Sequence, residues 1–297
     1  MGKYLWTAMA AVAGLTMAGQ QALAKEGGDQ YPQGAEGFMA GALPPPGFYF
    51  LGYGVDYRGD LVDNDGDKVT SPAGESVSIR ANAVAGRLLY MSDFQVLGGN
   101  WGAHMVIPIF DVRVEAGSTS QHKTGLGDIT FDPFVLAWHW KDFHLATGLD
   151  ITAPSGRYKA GDLANIGANY WSFEPLVTFT YLNEDGWEGS AKLMYNVKTE
   201  NTATDYQSGD EFHMDYTLAK HFDDWSVGLG GYFVHQIQRD EQNGVEVSDS
   251  IRKTFAIGPQ VKYDYQNMSF IAKWQNEVYS RNTFDGNRFN LKFIYAF

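Results

Sequence analysis

Trp187-Glu188-Gly189-Ser190-Ala191-Lys192-Leu193-Met194-Tyr195-Asn196-Val197-Lys198 alternates without a break. Trp187, Gly189, Ala191, Leu193, Tyr195 and Val197 share one face, while Glu188, Ser190, Lys192, Met194, Asn196 and Lys198 share the other. A period of two marks a strand whose faces meet different surroundings. Its register is fixed, because a slip of one residue carries Glu188, Lys192 and Lys198 to the apolar side. A basic side chain at the middle of a bilayer costs ~2–4 kcal/mol. The run is also longer than the roughly five or six residues usual for a strand in a soluble sandwich.

The same pattern spreads in both directions. In 209–222, Phe212, Met214, Tyr216, Leu218 and Phe222 oppose Glu211, His213, Asp215, Thr217 and His221. In 170–182, Trp171, Phe173, Val177, Phe179 and Tyr181 oppose Ser172, Glu174, Thr178 and Thr180. Twelve segments of strand length follow, at 47–58, 76–91, 103–115, 127–140, 142–154, 170–183, 187–199, 209–222, 224–238, 252–266, 268–281 and 286–297. Short connections (Lys141-Asp142, Asn183–Gly186, Asp223-Asp224, Gln266-Asn267, with Ser92–Gly102 longer) alternate with polar loops at 59–75, 116–126, 155–169, 200–208, 239–251 and 281–285. Short turns on one side and long loops on the other describe an up-and-down transmembrane barrel of antiparallel strands. An even count puts both termini on the periplasmic side. Aromatics at the strand ends, Tyr49, Tyr57, Trp138, Trp140, Trp171, Tyr181, Trp187, Trp225, Tyr265 and Tyr279, are expected to form the interfacial girdle.

The chain's two ends agree with this class. Residues 1–24 read as a cleavable signal peptide, with Lys3 ahead of an uncharged stretch and Ala22-Leu23-Ala24 before Lys25-Glu26. Residues 25–46, rich in Gly and Pro, carry no period; Pro44-Pro45-Pro46 stiffens their end, and they are long enough to enter the lumen as a plug. The barrel takes 47–297. Its last strand sets Phe289, Leu291, Phe293, Tyr295 and Phe297 against Asn290, Lys292, Ile294 and Ala296. Phe293, Tyr295 and Phe297 resemble the C-terminal signal read by the barrel-assembly machinery. Bacterial outer-membrane location follows, with outer-membrane lipid, lipopolysaccharide and that machinery as partners.

Composition removes other classes. There is no Cys, hence no disulfide framework or thiolate metal site. A net charge of −13 speaks against a nucleic-acid partner. Mean hydropathy of −0.29 is no obstacle, since only alternate residues of a barrel strand meet lipid. No Gly-x-Ser-x-Gly, His-Glu-x-x-His or phosphate-loop motif is present, so no enzyme and no cofactor are expected. Asp63-Asn64-Asp65-Gly66-Asp67 looks like a calcium loop, but its Gly is fourth where an EF-hand wants it sixth. A weak calcium site at Asp63, Asp65 and Asp67 is the sharper reading and a solvated loop the plainer one.

Charged residues of both signs, interleaved on neighbouring strands, are assigned to the lumen. They read either as a cross-linked wall filling a narrow barrel or as a polar channel with a constriction. Arg58, Arg80, Arg113, Glu174 and Asp215 are the constriction candidates.

Three blocks carry a resemblance: Tyr31–Tyr49, with Pro44-Pro45-Pro46-Gly47; Gly125-Leu126-Gly127-Asp128-Ile129-Thr130, with Pro133 and Trp138-His139; and Ala153-Pro154-Ser155-Gly156-Arg157-Tyr158, continuing through Asn165–Pro175. Together they resemble the outer-membrane β-barrel family named after the phenol meta-cleavage pathway. The resemblance implies a channel admitting small hydrophobic or aromatic molecules by passive diffusion, rather like the fatty-acid and toluene channels. A structural or adhesive surface barrel with an occluded lumen is the alternative; an outer-membrane enzyme ranks below both.

Overall fold

The structure, a computed structural model, describes residues 29–71 and 74–297; the expected signal peptide lies outside them. Sixteen strands occur in chain order: β1 Gly47–Val62, β2 Val77–Val96, β3 Gly99–Ala116, β4 Thr119–Leu126, β5 Ile129–His139, β6 Phe143–Ala153, β7 Ser172–Leu182, β8 Trp187–Lys198, β9 Tyr206–Gln207, β10 Glu211–Phe222, β11 Trp225–Gln236, β12 Glu241–Gln242, β13 Val245–Glu246, β14 Lys253–Tyr265, β15 Met268–Arg281 and β16 Thr283–Ala296. Twelve of them close an antiparallel barrel, sealed where β1 pairs with both β2 and β16. The barrel has one end where β1 starts and β16 stops, here the inner end, and an outer end where the long loops lie. At the outer end β9, β12 and β13 form a separate small sheet.

The barrel is inside-out relative to a soluble protein. Along β7, Glu174 is 3% and Thr180 0% exposed, whereas Val177 and Phe179 are each 44% exposed. Lipid takes the apolar face and the lumen takes the polar one, which is why alternation specified register so tightly.

Three boundaries differ from expectation. Ser92–Gly102 is not a loop: β2 runs on to Val96 through a bulge between Met91 and Gln95, and Leu97-Gly98 makes a two-residue turn. Both turn residues have positive φ, 52° and 77°, the twist a tight hairpin needs. Residues 119–126 are strand rather than loop. β4 pairs with the outer half of β3 and β5 with its inner half, so the two follow one another along the same neighbour. Only Asn282 separates β15 from β16 where a longer loop was expected.

Pro133 removes a ladder donor from β5, and the sheet bulges there between Phe131 and Leu136. The Asp132 carboxylate fills the gap, accepting from the Phe134 amide at 2.7 Å and the Leu149 amide at 2.8 Å.

On the exterior of β3 the apolar residues Met105, Ile107 and Ile109 are followed by Asp111, Arg113 and Glu115. A strand needs about 9–11 residues to cross a membrane, so the 18-residue β3 stands well clear of it. Ile107→Lys is therefore expected to cost ~2–4 kcal/mol, while Arg113→Leu stays within roughly 0.5 kcal/mol of wild type. Urea unfolding of the vesicle-embedded barrel measures both.

Candidate functional site

Two hydroxyls fix which face of β1 looks inward. Tyr57 donates to Glu277 Oε2 at 2.8 Å, and Tyr53 donates to Glu36 Oε1 at 3.0 Å. Odd-numbered residues of β1 therefore line the lumen and even-numbered ones face out. Arg58 stands opposite Arg80, and Arg80 opposite Arg113, so all three share the exterior face. Their placement in the lumen is thus corrected. Outside the membrane both faces of a strand are wet, and charge there no longer reports which way a residue points. Tyr49 and Tyr57 likewise leave the girdle for the inner face. The exposed Trp140, Trp171, Tyr181, Trp187, Trp225, Tyr265 and Tyr279 lie on the outside.

Glu174 and Asp215 do face the lumen, and both are buried. What they meet is the chain's own N-terminal segment. Asp29 pairs with Arg252 at the outer end, and Gln30 Nε2 donates to Asp128 Oδ2 at 2.8 Å. Asp215 on β10 then accepts three hydrogen bonds: from the Tyr31 hydroxyl at 2.6 Å, the Gly34 amide at 2.8 Å and the Glu36 amide at 3.0 Å. From β15, Lys273 Nζ donates to the carbonyls of Gly34 (2.6 Å), Ala35 (2.6 Å) and Glu36 (3.0 Å). One short turn is thus gripped by an anion through its amides and by a cation through its carbonyls.

The Glu36 side chain sits between Lys292 at 2.5 Å and Arg87 at 3.2 Å. His213 links Gln33 Oε1 (3.1 Å) to Glu174 Oε2 (2.8 Å), and Asn196 donates to the same Glu174 oxygen at 2.7 Å. Toward the inner end the Met39 amide donates to Glu188 and the Gly41 amide to Thr180 Oγ1. A Cβ on Gly41 would lie 2.5 Å from the Phe179 backbone, so only glycine lets the segment come this close to β7. Leu43 packs on Leu51, Leu89 and Met91, an apolar cluster at the inner end of the lumen.

Arg87 was missed because Arg80 was turned inward. Seven residues apart, the two have opposite parity, and the exposed Val84 and Leu88 beside Arg80 in phase carry the signal that points it outward. The contacts of residues 29–43 carried no such signal, since the segment has no period and about half of its bonds run from backbone atoms.

Among the described residues, one group has metal-ligand spacing: His104, Asp132 and Asp150, whose ligand atoms lie within 4.8 Å of one another. Lys192 Nζ stands 3.3 Å from Asp150 and supplies the positive charge there, while two amides engage Asp132. Asp63, Asp65 and Asp67 do not converge on a point. Asp63 Oδ1 accepts from the Asp65 and Asp67 amides, closing the turn on itself, and the Arg281 guanidinium lies against Gly66. Phe293, Tyr295 and Phe297 follow one another on the outer face at the inner end, where the Phe297 amide bonds the Phe48 carbonyl.

A sequence profile described as "Putative MetA-pathway of phenol degradation" matches residues 58–293. The chain belongs to this family. In fold, this phenol-degradation family member is similar to an outer membrane channel from Pseudomonas putida F1, with a TM-score of 0.76 and 15% identity over 87% of this chain and 98% of that one. It is also similar to the β domain of the Bordetella autotransporter BrkA, with a TM-score of 0.50 and 9% identity over 85% of this chain and 100% of that one. No curated protein matches the sequence.

Asp215→Ala leaves Lys273 buried without its counter-charge, a loss of about 3–5 kcal/mol for such groups. The expected outcome is a loosened segment in an intact barrel. Limited proteolysis should cut between residues 29 and 43 in this variant and not in wild type, with heat-modifiable gel mobility unchanged.

The outer cap makes a pH prediction. Asp240, fully buried in the 237–240 loop, accepts from Tyr206, Gln236 and the Gly209 amide. Burial pushes its carboxyl up to about 6. A folded value above the unfolded one means that the docked cap holds its proton longer, so its stability declines as pH rises from about 4 to 6 and is lowest above that window. Exchange of the Gly209 amide, corrected for intrinsic rate, should be slower at acidic than at neutral pH, and Asp240→Asn should flatten the difference.

Proposed function

We propose that this protein is an outer-membrane channel through which small apolar or aromatic molecules diffuse, and that residues 29–46 are its plug. The observation that carries the reading is the way the lumen is filled. Its occupant is one irregular segment held by side chains that grip its backbone, with no ladder of its own to the wall. Such an occupant can shift while the twelve-stranded wall stays closed. The apolar wall residues that its Phe38 and Leu43 pack against, Ile271 and Ile294 on one side and Leu51 and Leu89 on the other, suit uncharged cargo better than ions or sugars. Membership of a family tied by its description to phenol degradation points the same way.

The alternative is a structural surface barrel whose lumen stays shut. It is favoured by the number of buried ion pairs across the interior, Lys198–Glu211 at 3.1 Å and Lys192–Asp150 at 3.3 Å among them. Liposome swelling and single-channel conductance separate the two. For a channel, deleting 25–46 or combining Asp215→Ala with Lys273→Met raises permeability, and a strain lacking the protein takes up aromatic compounds more slowly while sugars enter as before. Unchanged permeability in both variants, with unchanged uptake across the panel, leaves the structural barrel standing.

A further inference from the structure

Of the seven histidines, His104, His122, His213 and His221 each stand within 3.1 Å of a carboxylate. His139 and His144 stand against one another instead. They flank the β5–β6 turn at the inner end, where the Trp140 amide donates to the Phe143 carbonyl at 2.8 Å. That bond makes 140 and 143 a hydrogen-bonded pair. The next pair along, His139 and His144, is then the kind that exchanges no backbone bonds and brings its side chains closest. The two Nδ1 atoms are 2.9 Å apart and the ring centroids 5.1 Å.

The pair is on the lumen face. One pleat step deeper, Ala137 and Ala146 stand opposite one another in the buried apolar cluster on which Leu43 packs. The histidines mark where that cluster gives way to water: His139 is exposed and His144 half-buried. Lys141 in the turn is paired with Glu184 at 2.6 Å, so it sets no bare cation beside them. Neither ring has another hydrogen-bond partner among the described residues. The two therefore line the inner mouth of the barrel with their nitrogens accessible.

A shared proton joins the two rings in the absence of a metal, but their spacing is also that of a chelate. Two metal–nitrogen bonds of about 2.05 Å that span 2.9 Å enclose an angle of about 90°. A tetrahedral ion, at about 109°, needs its nitrogens roughly 3.3 Å apart. Right angles between ligands belong to square-planar and tetragonal sites, the geometry of Cu²⁺ and Ni²⁺, and imidazole suits both. Cu²⁺ binds the more tightly of the two at a given set of ligands. Each Nε2 can carry the proton that Nδ1 gives up, so both rings can present a lone pair. The group of His104, Asp132 and Asp150 is different in kind, because Lys192 supplies its positive charge.

We propose that His139 and His144 chelate one Cu²⁺ through their Nδ1 atoms at the inner mouth, with water in its remaining positions. The ion ties β5 to β6 across their turn. The site uses none of the side chains that grip the N-terminal segment, so it stands whether or not the lumen conducts.

The test is calorimetric titration of the folded barrel in detergent with the chlorides of copper(II), nickel(II) and zinc, with electron paramagnetic resonance of the copper-loaded protein. One Cu²⁺ should bind per chain, more tightly than Ni²⁺ or Zn²⁺, and its tetragonal spectrum should show coupling to two imidazole nitrogens. His139→Ala and His144→Ala should each weaken binding about tenfold or more. His122→Ala, which removes an exposed histidine at the outer end, should leave it unchanged. Heat-modifiable gel mobility shows that each variant is folded. Undiminished binding in either inner-end variant means an adventitious ion only and overturns the site. A one-nitrogen spectrum overturns the chelate, and tighter binding of Zn²⁺ than of Cu²⁺ overturns the right-angled geometry.

Discussion

The interior depends on a charge arrangement that the wall alone does not complete. Asp215 and Lys273 are buried on different strands, and both find hydrogen-bond partners in the same short turn of the N-terminal segment, sharing Gly34 and Glu36. An isolated buried charge costs several kcal/mol, so each strand is committed to having that segment present. The Glu36 side chain extends the logic, balancing Lys292 and Arg87 from the centre. Segment and barrel are one electrostatic unit, though only one of them is built of strands.

This also explains why the lumen has no continuous apolar core. Its buried apolar residues fall into small separate clusters, around Leu51 and Met91, around Phe38 and Ile271, around Val112 and Val114, and around Tyr232 and Val234. Between them the packing is polar: His213 bridging Gln33 and Glu174, and Lys198 facing Glu211. Burial of this kind adds little net stability compared with apolar packing, but it accepts few alternative arrangements.

The barrel was legible in the sequence because lipid enforces the alternation. From β7 to β16 the charged lumen residues follow from the alternation, and Glu174, Lys192, Asp215 and Lys273 all face the lumen as read, although Tyr232 and Val234 turn inward too. The same rule misplaced Arg58, Arg80 and Arg113, because β1 to β3 rise beyond the membrane and have water on both sides. Ser92-Asp93 and Gly98-Gly99-Asn100 looked like one loop, yet a bulge absorbs the first pair and the strands continue to Leu97-Gly98. Residues 25–46 were expected from position and length to be able to enter the lumen, but the sequence did not dock them. Gly34, Ala35, Met39 and Gly41 meet their partners through amides and carbonyls, which every residue has and no pattern marks.

The course of that segment has a consequence for biogenesis. Asp29 lies by Arg252 at the outer end, while Gly47 begins β1 at the inner end, so the segment runs the length of a tube that is closed all round. A tube already sealed offers it no sideways entrance. The seam between β1 and β16, down to the bond from the Phe297 amide to the Phe48 carbonyl, belongs to the same strand that leads directly from the segment, so docking the segment and joining the wall's two ends draw on one strand.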